Sequence, residues 1–193
     1  PESRYETPEK RIEFFRRIES RLTALPGVES ATLATSLPLW SYGNSRQILS
    51  EGQSANANAT LPSAFHVMVT PSYFATLGIG LVEGRNFAAD VKASDPQQVV
   101  INDALAKQFW PGKSAVGQRL GTIQNGQTTW AEVIGVVRSI ESAADFGNPR
   151  TLFHVYKPAV QEPWSWIRFA VRSANPAVLT DSVKRAVAEV DAD

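Results

Sequence analysis

An α+β fold with two lobes is predicted by three features of this 193-residue chain. Helical periodicity is strongest near the two ends, β-prone segments crowd the middle, and each terminal helix adjoins a strand in sequence. Two such strand and helix units pack their apolar faces together as one layer, and the strand-rich middle emerges as a second lobe. The expected division is a single domain over residues 1–193, with one lobe at about 1–70 and 160–193 and the strand-rich lobe at about 71–159.

The elements follow in order. Thr7, Pro8 and Glu9 open a helix with a capping hydroxyl, a ring pre-set for the first helical position and an acid at the positive end of the dipole. Ile12, Phe15, Ile18, Leu22 and Leu25 recur at spacings of three and four, and Pro26-Gly27 ends the helix. "VESATLATSL" reads as a strand, followed by "PLWSYGNSRQ", a turn-rich segment carrying Trp40 and Tyr42. From Glu51 to Pro62 the chain is too polar to bury much apolar surface, and a mobile loop is expected. "SAFHVMVT" alternates, with Phe65, Val67 and Val69 on one face and Ala64, His66 and Met68 on the other, a strand with at least one buried side.

Thr70-Pro71 repeats the cap-then-proline signal before "SYFATL", about two helical turns closed by Gly78 in the left-handed conformation. Ile79 and Leu81 give a brief extended piece, Glu83-Gly84 turns, and Arg85 is expected to lie across that corner, donating to the carbonyls of the helix end or pairing with an acid such as Asp90. "QQVVIN" is a strand whose Asn102 caps "DALAKQFW", stopped by Pro111-Gly112. "VGQRL" and "TTWAEVIGVVRS" are strands joined through Gln124-Asn125-Gly126-Gln127, where Asn-Gly is a strong hairpin signal. "LFHVYKP" and "WIRFAVRS" are two more strands, and Asn175-Pro176 opens a last helix with Leu179, Val183, Val187 and Val190 as its apolar stripe.

Composition removes several kinds of chemistry. Lys plus Arg and Asp plus Glu both number 19, so no net field attracts nucleic acid or an anionic bilayer. Cysteine is absent, which excludes disulfides, thiolate metal sites and cysteine nucleophiles. No apolar run approaches the roughly 20 residues that span a bilayer. A chain that opens on Pro1 and stops at "EVDAD" is expected to be a piece of something longer.

The search for a reacting constellation finds none. His66 and His154 each sit inside a strand pattern with no second histidine at ligand spacing, so packed side chains are expected, with no metal. "GKS" at Gly112, Lys113 and Ser114 lacks the glycine of a phosphate loop, which Lys107 replaces, and "GIG" and "GTIQNG" lack the third glycine of a dinucleotide fingerprint. No cofactor is expected. Asp90, Asp95, Asp103, Glu132, Glu141 and Asp145 are spread out, and spacing gives no reason for two of them to share a cavity. Trp40 with Tyr42, and Trp164 with Trp166 in "EPWSW", are the aromatic points able to anchor a partner or to plug a lobe junction.

"LPGVESATLATSLPL", "VTPSYFATLGIGLVEGRNF", "VVINDALAKQFWPGKSAVGQRL", "EVIGVVRSI" and "VYKPAVQ" occur in that order. Together they resemble the MacB-like periplasmic core domain of FtsX-type ABC transporter permeases, in phrasing most similar to the acidobacterial-type permeases. The resemblance runs over nearly the whole chain. It implies an extracytoplasmic, two-lobed α+β domain of an inner-membrane protein, one lobe built of porter-like strand and helix units. It also implies no catalytic residues, a mechanical role driven by a cognate ABC ATPase, and an adaptor or other envelope protein as partner in the efflux and lipoprotein-sorting branches. Gly78, Gly84, Arg85, Gly117 and Gly135 match its recurrent blocks and are expected to be fold determinants. The family pattern has a further strand before these blocks, so an exposed sheet edge, and with it a homodimer, is also expected. Two other readings remain open: a ligand- or peptide-binding sensor domain using Trp40, Tyr42, Trp164 and Trp166, which requires a deep apolar pocket, and a hydrolase, which requires titratable side chains meeting in one cleft.

Overall fold

The computed structural model describes residues 5–38, 44–53, 61–140 and 153–190. It is an α+β fold. Helix α1 (Pro8–Thr23) starts where the cap signal places it, with the Thr7 hydroxyl accepting from Lys10 N at 3.4 Å, and buries Phe15, Ile18 and Leu22. β1 (Ser30–Ala34), β2 (Asn44–Ser50) and β3 (Ser63–Val69) follow, then the short α2 (Tyr73–Leu77), closed by Gly78 at φ 71°. Next come β4 (Leu81–Gly84), β5 (Gln98–Asn102), α3 (Asp103–Phe109), and the hairpin of β6 (Arg119–Gln124) with β7 (Gln127–Val137). Asn125 and Gly126, at φ 51° and 75°, make its two-residue turn, both in the left-handed region that a primed turn needs. β8 (His154–Pro158), β9 (Arg168–Arg172), a 3-10 turn at Pro176–Leu179 and α4 (Thr180–Val190) complete the described chain.

The strands form one nine-stranded sheet. β2 pairs with both β6 and β3, so β2-β6-β7-β5-β8-β3 return on themselves as a ring of hydrogen-bonded strands, and β4 pairs with β7 outside that path. β1 leaves the ring through its contact with β3, and β9 pairs antiparallel with β1 from Ser30↔Arg172 to Ala34↔Arg168. Helices α1 and α4 pack against each other beside this β1–β9 pair. β2 and β3 precede residue 70 in sequence, yet they bond to β6 and β8, so one continuous sheet runs through both parts of the fold.

Three apolar clusters fill the layers. Phe15, Ile18, Leu22, Leu33 and Met68 join α1 to the sheet, with Val183, Val187 and Val190 of α4 packed against them. Tyr73 and Phe74 of α2 pack on Phe65, Val67, Val100 and Tyr156, while Leu105 and Trp110 pack on Val99, Ile101, Val133 and Val155. Both faces of β3 are therefore buried. Sites on alternate sides of one strand serve different clusters, as the two-residue period requires.

The structure departs from the sequence expectation at three places, and part of the expectation falls on residues not described. Asn44–Ser50 is a strand and not part of a turn; its buried Arg46 disguises the apolar alternation. Trp40, Tyr42 and most of the polar loop, residues 54–60, lie outside the described residues. Thr70 does not cap α2, since its hydroxyl bonds to Glu19 and Leu33 N, and the N-cap residue is Ser72 with no side-chain cap bond. The last helix starts with a 3-10 turn.

Asn102 shows how one polar side chain ties elements together. Its Oδ1 accepts from Leu105 N at 3.3 Å, capping α3, and from His154 N at 3.1 Å, while Nδ2 donates to Ser139 Oγ at 2.9 Å. Asn102→Ala removes the cap and leaves a buried N–H without its acceptor, so unfolding in urea should show a loss of about 2 to 4 kcal/mol. A loss below about 1 kcal/mol would contradict this account of the α3 start.

Candidate functional site

Residues 159–167 connect β8, in the ring, to β9, in the split layer of β1, β9, α1 and α4. Its first half is tied down at most of its residues. Ala159 N donates to Val69 O at 2.9 Å and Gln161 N to Pro158 O at 2.9 Å. The Gln161 amide donates to the carbonyls of Asp95 and Pro96 and accepts from Gln98 N. Arg11 of α1 donates through Nη1 to Pro163 O at 3.2 Å.

Glu162 is the centre of the connector. Its carboxylate accepts both Nη atoms of Arg46 from β2, Lys157 Nζ from β8 at 2.9 Å, and Trp164 Nε1 at 3.3 Å. Asn44, its amide oxygen assigned from the donors around it, accepts from Arg46 Nη2 and Nε at 2.7 and 2.9 Å. Arg46, Lys157 and His66 are all buried, and they share one face because Arg46 pairs with Ala64, and Lys157 with Met68, in the ladders flanking His66. Burial alone would raise the Glu162 pKa, but the hydrogen bonds from Arg46 and the charge of Lys157 outweigh it and hold the group at about 2. Burial, then the charges of Arg46 and Lys157, lowers His66 to about 3, against the pull of Glu162. The imidazole is neutral, and the cluster holds two cations on one carboxylate.

A second knot joins α1 to the start of α2. The Glu19 carboxylate accepts from Thr70 Oγ1 at 2.7 Å and Ser72 Oγ at 2.6 Å, while Leu33 N donates to Thr70 Oγ1 at 3.1 Å. Thr35 repeats the pattern one strand position on, with Met68 N donating to its hydroxyl at 3.1 Å and its own N–H bonding to Met68 O. Two arginines of β9 reach across as well. Arg168 donates to Thr35 O, and Arg172 Nε donates to Thr76 O at the end of α2, both at 2.8 Å.

Arg172 thus does what was expected of Arg85. The Arg85 side chain is exposed and makes no hydrogen bond or ion pair among the described residues; it enters the corner through its backbone, whose N–H bonds to Ile134 O at 2.9 Å. Gly84, at φ 73°, and Gly135 let those two backbones touch. A Cβ at Gly84 would fall on Ile134 O and lie 2.8 Å from Val116 Cγ2, and one at Gly135 would fall on Arg85 O. Gly117, at φ 83°, has open space around it.

Trp164 and Trp166 form an edge-to-face pair at 5.5 Å, and Arg168 lies over the Trp166 ring at 4.9 Å. Trp164 is drawn inward by Glu162, whereas Trp166 remains 39% exposed. His66 and His154 are both buried on neighbouring strands, but on opposite faces, since Phe65 and not His66 pairs with His154. Asp90, Asp95 and Glu132 share a cleft that their spacing gave no reason to expect, together with Arg85 and Lys92; it has a volume of about 390 Å3 and walls polar and apolar in similar measure. Among the described residues no three His, Asp or Glu side chains are grouped to hold a metal ion.

The sequence profile of the MacB-like periplasmic core domain matches residues 4–190. Among solved structures, the chain is similar to the periplasmic region of MacB from Actinobacillus actinomycetemcomitans, with 18% identity and a TM-score of 0.60 over 90% of this chain and 72% of that one. It is similar to the extracellular domain of the noncanonic ABC-type transporter YknZ from Gram-positive bacteria, with 15% identity and a TM-score of 0.60 over 91% and 80%. At such identities these likenesses speak to the fold. No curated protein matches the chain.

Two outcomes are expected from this geometry. Gly117→Ala should cost only the left-handed strain of about 1 to 2 kcal/mol, whereas Gly84→Ala adds overpacking of about 1 to 3 kcal/mol; denaturant melts giving equal losses would contradict the close approach. The second concerns acid. His66 and Glu162 both have depressed folded-state pKa values, so the unfolded chain takes up protons first and their stabilisation is lost as pH falls, from about 6.5 towards 3 for His66 and from about 4.5 towards 2 for Glu162. Urea midpoints should fall in two phases across this range, and His66→Gln should remove the upper one. A midpoint flat between about pH 7 and 4 would contradict it.

Proposed function

The chain belongs to the MacB-like periplasmic core domain family, and on that footing we propose that it couples ATP-driven motion of an export permease to events outside the membrane without catalysing a reaction. The single observation that carries this reading is the connector. A stretch linking the split layer to the ring is held by Arg46, Lys157, Arg11, and the β5 strand through Gln161, so a displacement of α1 and α4 moves the ring with them. A connector meant only to span a gap has no need of a half-buried carboxylate that takes donors from Arg46, Lys157 and Trp164, because drawing charges partly out of water is costly unless the geometry is fixed.

In this reading the split layer of α1, β1, β9 and α4 and the ring, which takes in β2 and β3 from before residue 70, are two arms of one lever, and Gly78, Gly84, Arg85, Gly117 and Gly135 set its bends. The cognate ABC ATPase acts through the membrane part of the permease. Trp166, exposed and steadied by Arg168 and Trp164, is the anchor for an adaptor or other envelope protein, or for a second copy of the chain, with Trp40 and Tyr42 as further contacts.

The test uses the whole permease with its ATPase in lipid discs, spin-labelled at Thr128 in the β6–β7 hairpin and in the membrane part. ATP should shift the distance distribution, and Trp166→Ala should lower transport about tenfold while leaving that shift intact. An ATP-independent distance, or turnover of a small molecule by the chain alone, refutes the proposal.

A further inference from the structure

The two cations that meet Glu162 belong to strands of the ring, and the carboxylate does not. Arg46 stands on β2, which pairs with β3 and β6, and Lys157 on β8, which pairs with β3 and β5. Their side chains are 5% and 10% exposed, against 24% for Glu162, so the acid is the member that solvent reaches most. Asn44 takes two donors of Arg46, at 2.7 and 2.9 Å, and helps to fix the guanidinium. Strand pairing therefore sets the two cations in place independently of the acid.

The arrangement is that of a receptor for a carboxylate. Arg46 presents Nη1 to Glu162 Oε2 at 3.1 Å and Nη2 to Oε1, a two-pronged contact that matches the planar group. Lys157 Nζ donates to Oε2 at 2.9 Å, and Trp164 Nε1 to Oε1 at 3.3 Å. Neutral His66 lies on the same strand face, near enough for the charges of Arg46, Lys157 and Glu162 to act on it, and its ring nitrogens have no partner among the described residues. That face carries one more donor than Glu162 uses. The connector has other ties, through Ala159 N, the Gln161 amide and Pro163 O, so it stays seated without the acid. Two cations held out of water would then lack an anion, a state that is costly to leave unanswered.

We propose that Arg46, Lys157 and Trp164 frame a carboxylate-binding site, which Glu162 fills as a tethered ligand and which a free formate or acetate ion enters when that side chain is removed. Replacing Glu162 by alanine takes away one methylene and the carboxylate, a piece the size of acetate. In the native chain the tether keeps its ligand at an effective concentration on the order of mM or above, so dilute carboxylates outside do not displace it. The site opens to an acidic group from outside only as the connector is drawn away. That last statement rests on the coupling reading; the site itself does not.

The test uses the Glu162→Ala chain at pH 7 and constant ionic strength, with sodium formate or acetate replacing sodium chloride. Its thermal midpoint should rise with either carboxylate and level off, half-saturated at about 1 to 50 mM, and recover at least about half of the loss caused by the substitution. The unsubstituted chain, and Glu162→Gln with its uncharged amide in the same place, should show no such rise. A midpoint that stays where chloride leaves it overturns the proposal, as does an equal rise in all three chains. If Glu162→Ala is unfolded in chloride, formate or acetate should fold it, read as recovered far-UV circular dichroism; a chain unfolded in all three salts also overturns the proposal. An ATP-independent distance in the whole permease sinks the coupling reading and leaves this result standing.

Discussion

Strand β3 is the constraint on which the rest of the structure depends, because it pairs with three neighbours along seven residues. Its first half bonds to β2 and closes the ring, its length bonds in parallel to β8, and its last residue, Val69, pairs with Ala34 to carry β1 away. No strand can serve three partners over the same stretch, so the partners are divided along its length. Around that change of partner lie Thr70, Ser72 and Glu19 on one side and His66, Arg46 and Glu162 on the other.

Both knots use charge or hydroxyls where apolar packing would have sufficed for stability. Buried ion pairs often contribute little net free energy against a well-packed apolar alternative, since desolvation offsets the attraction. What they impose is geometry. The Glu162 carboxylate gathers Arg46, Lys157 and Trp164 onto the connector, and neutral His66, on the same strand face as Arg46 and Lys157, adds no third cation. The Gly84 and Gly135 contact does the same by exclusion, allowing two backbones to approach only because neither has a side chain.

Much of the fold was legible in the chain itself. Thr7-Pro8, Asn102, Gly78 and Asn125-Gly126 each perform the local task their chemistry suggests, because caps and tight turns are decided within a few residues. β2 was not legible, since its burial rests on Arg46 meeting a carboxylate 116 positions away, which reads locally as a polar turn. For the same reason Arg85 was credited with a task that Arg172 performs from β9. In "EPWSW" the tryptophans carry the local signal of an anchor, whereas Glu162, which binds the connector, carries none. Long-range polar pairing leaves no period in a sequence; caps, turns and apolar stripes do.

Whether the ring and the split layer behave as one body is tested most directly by native-state hydrogen exchange of the chain, resolved to individual amides. The N–H groups of Met68 and Thr70, which bond to Thr35 and Leu33 across the junction, should exchange only with global unfolding, at the same free energy as Val100 and Val133 in the ring. If those junction amides exchange through local openings while the ring stays protected, the two parts are loosely hinged and the account of rigid coupling is wrong.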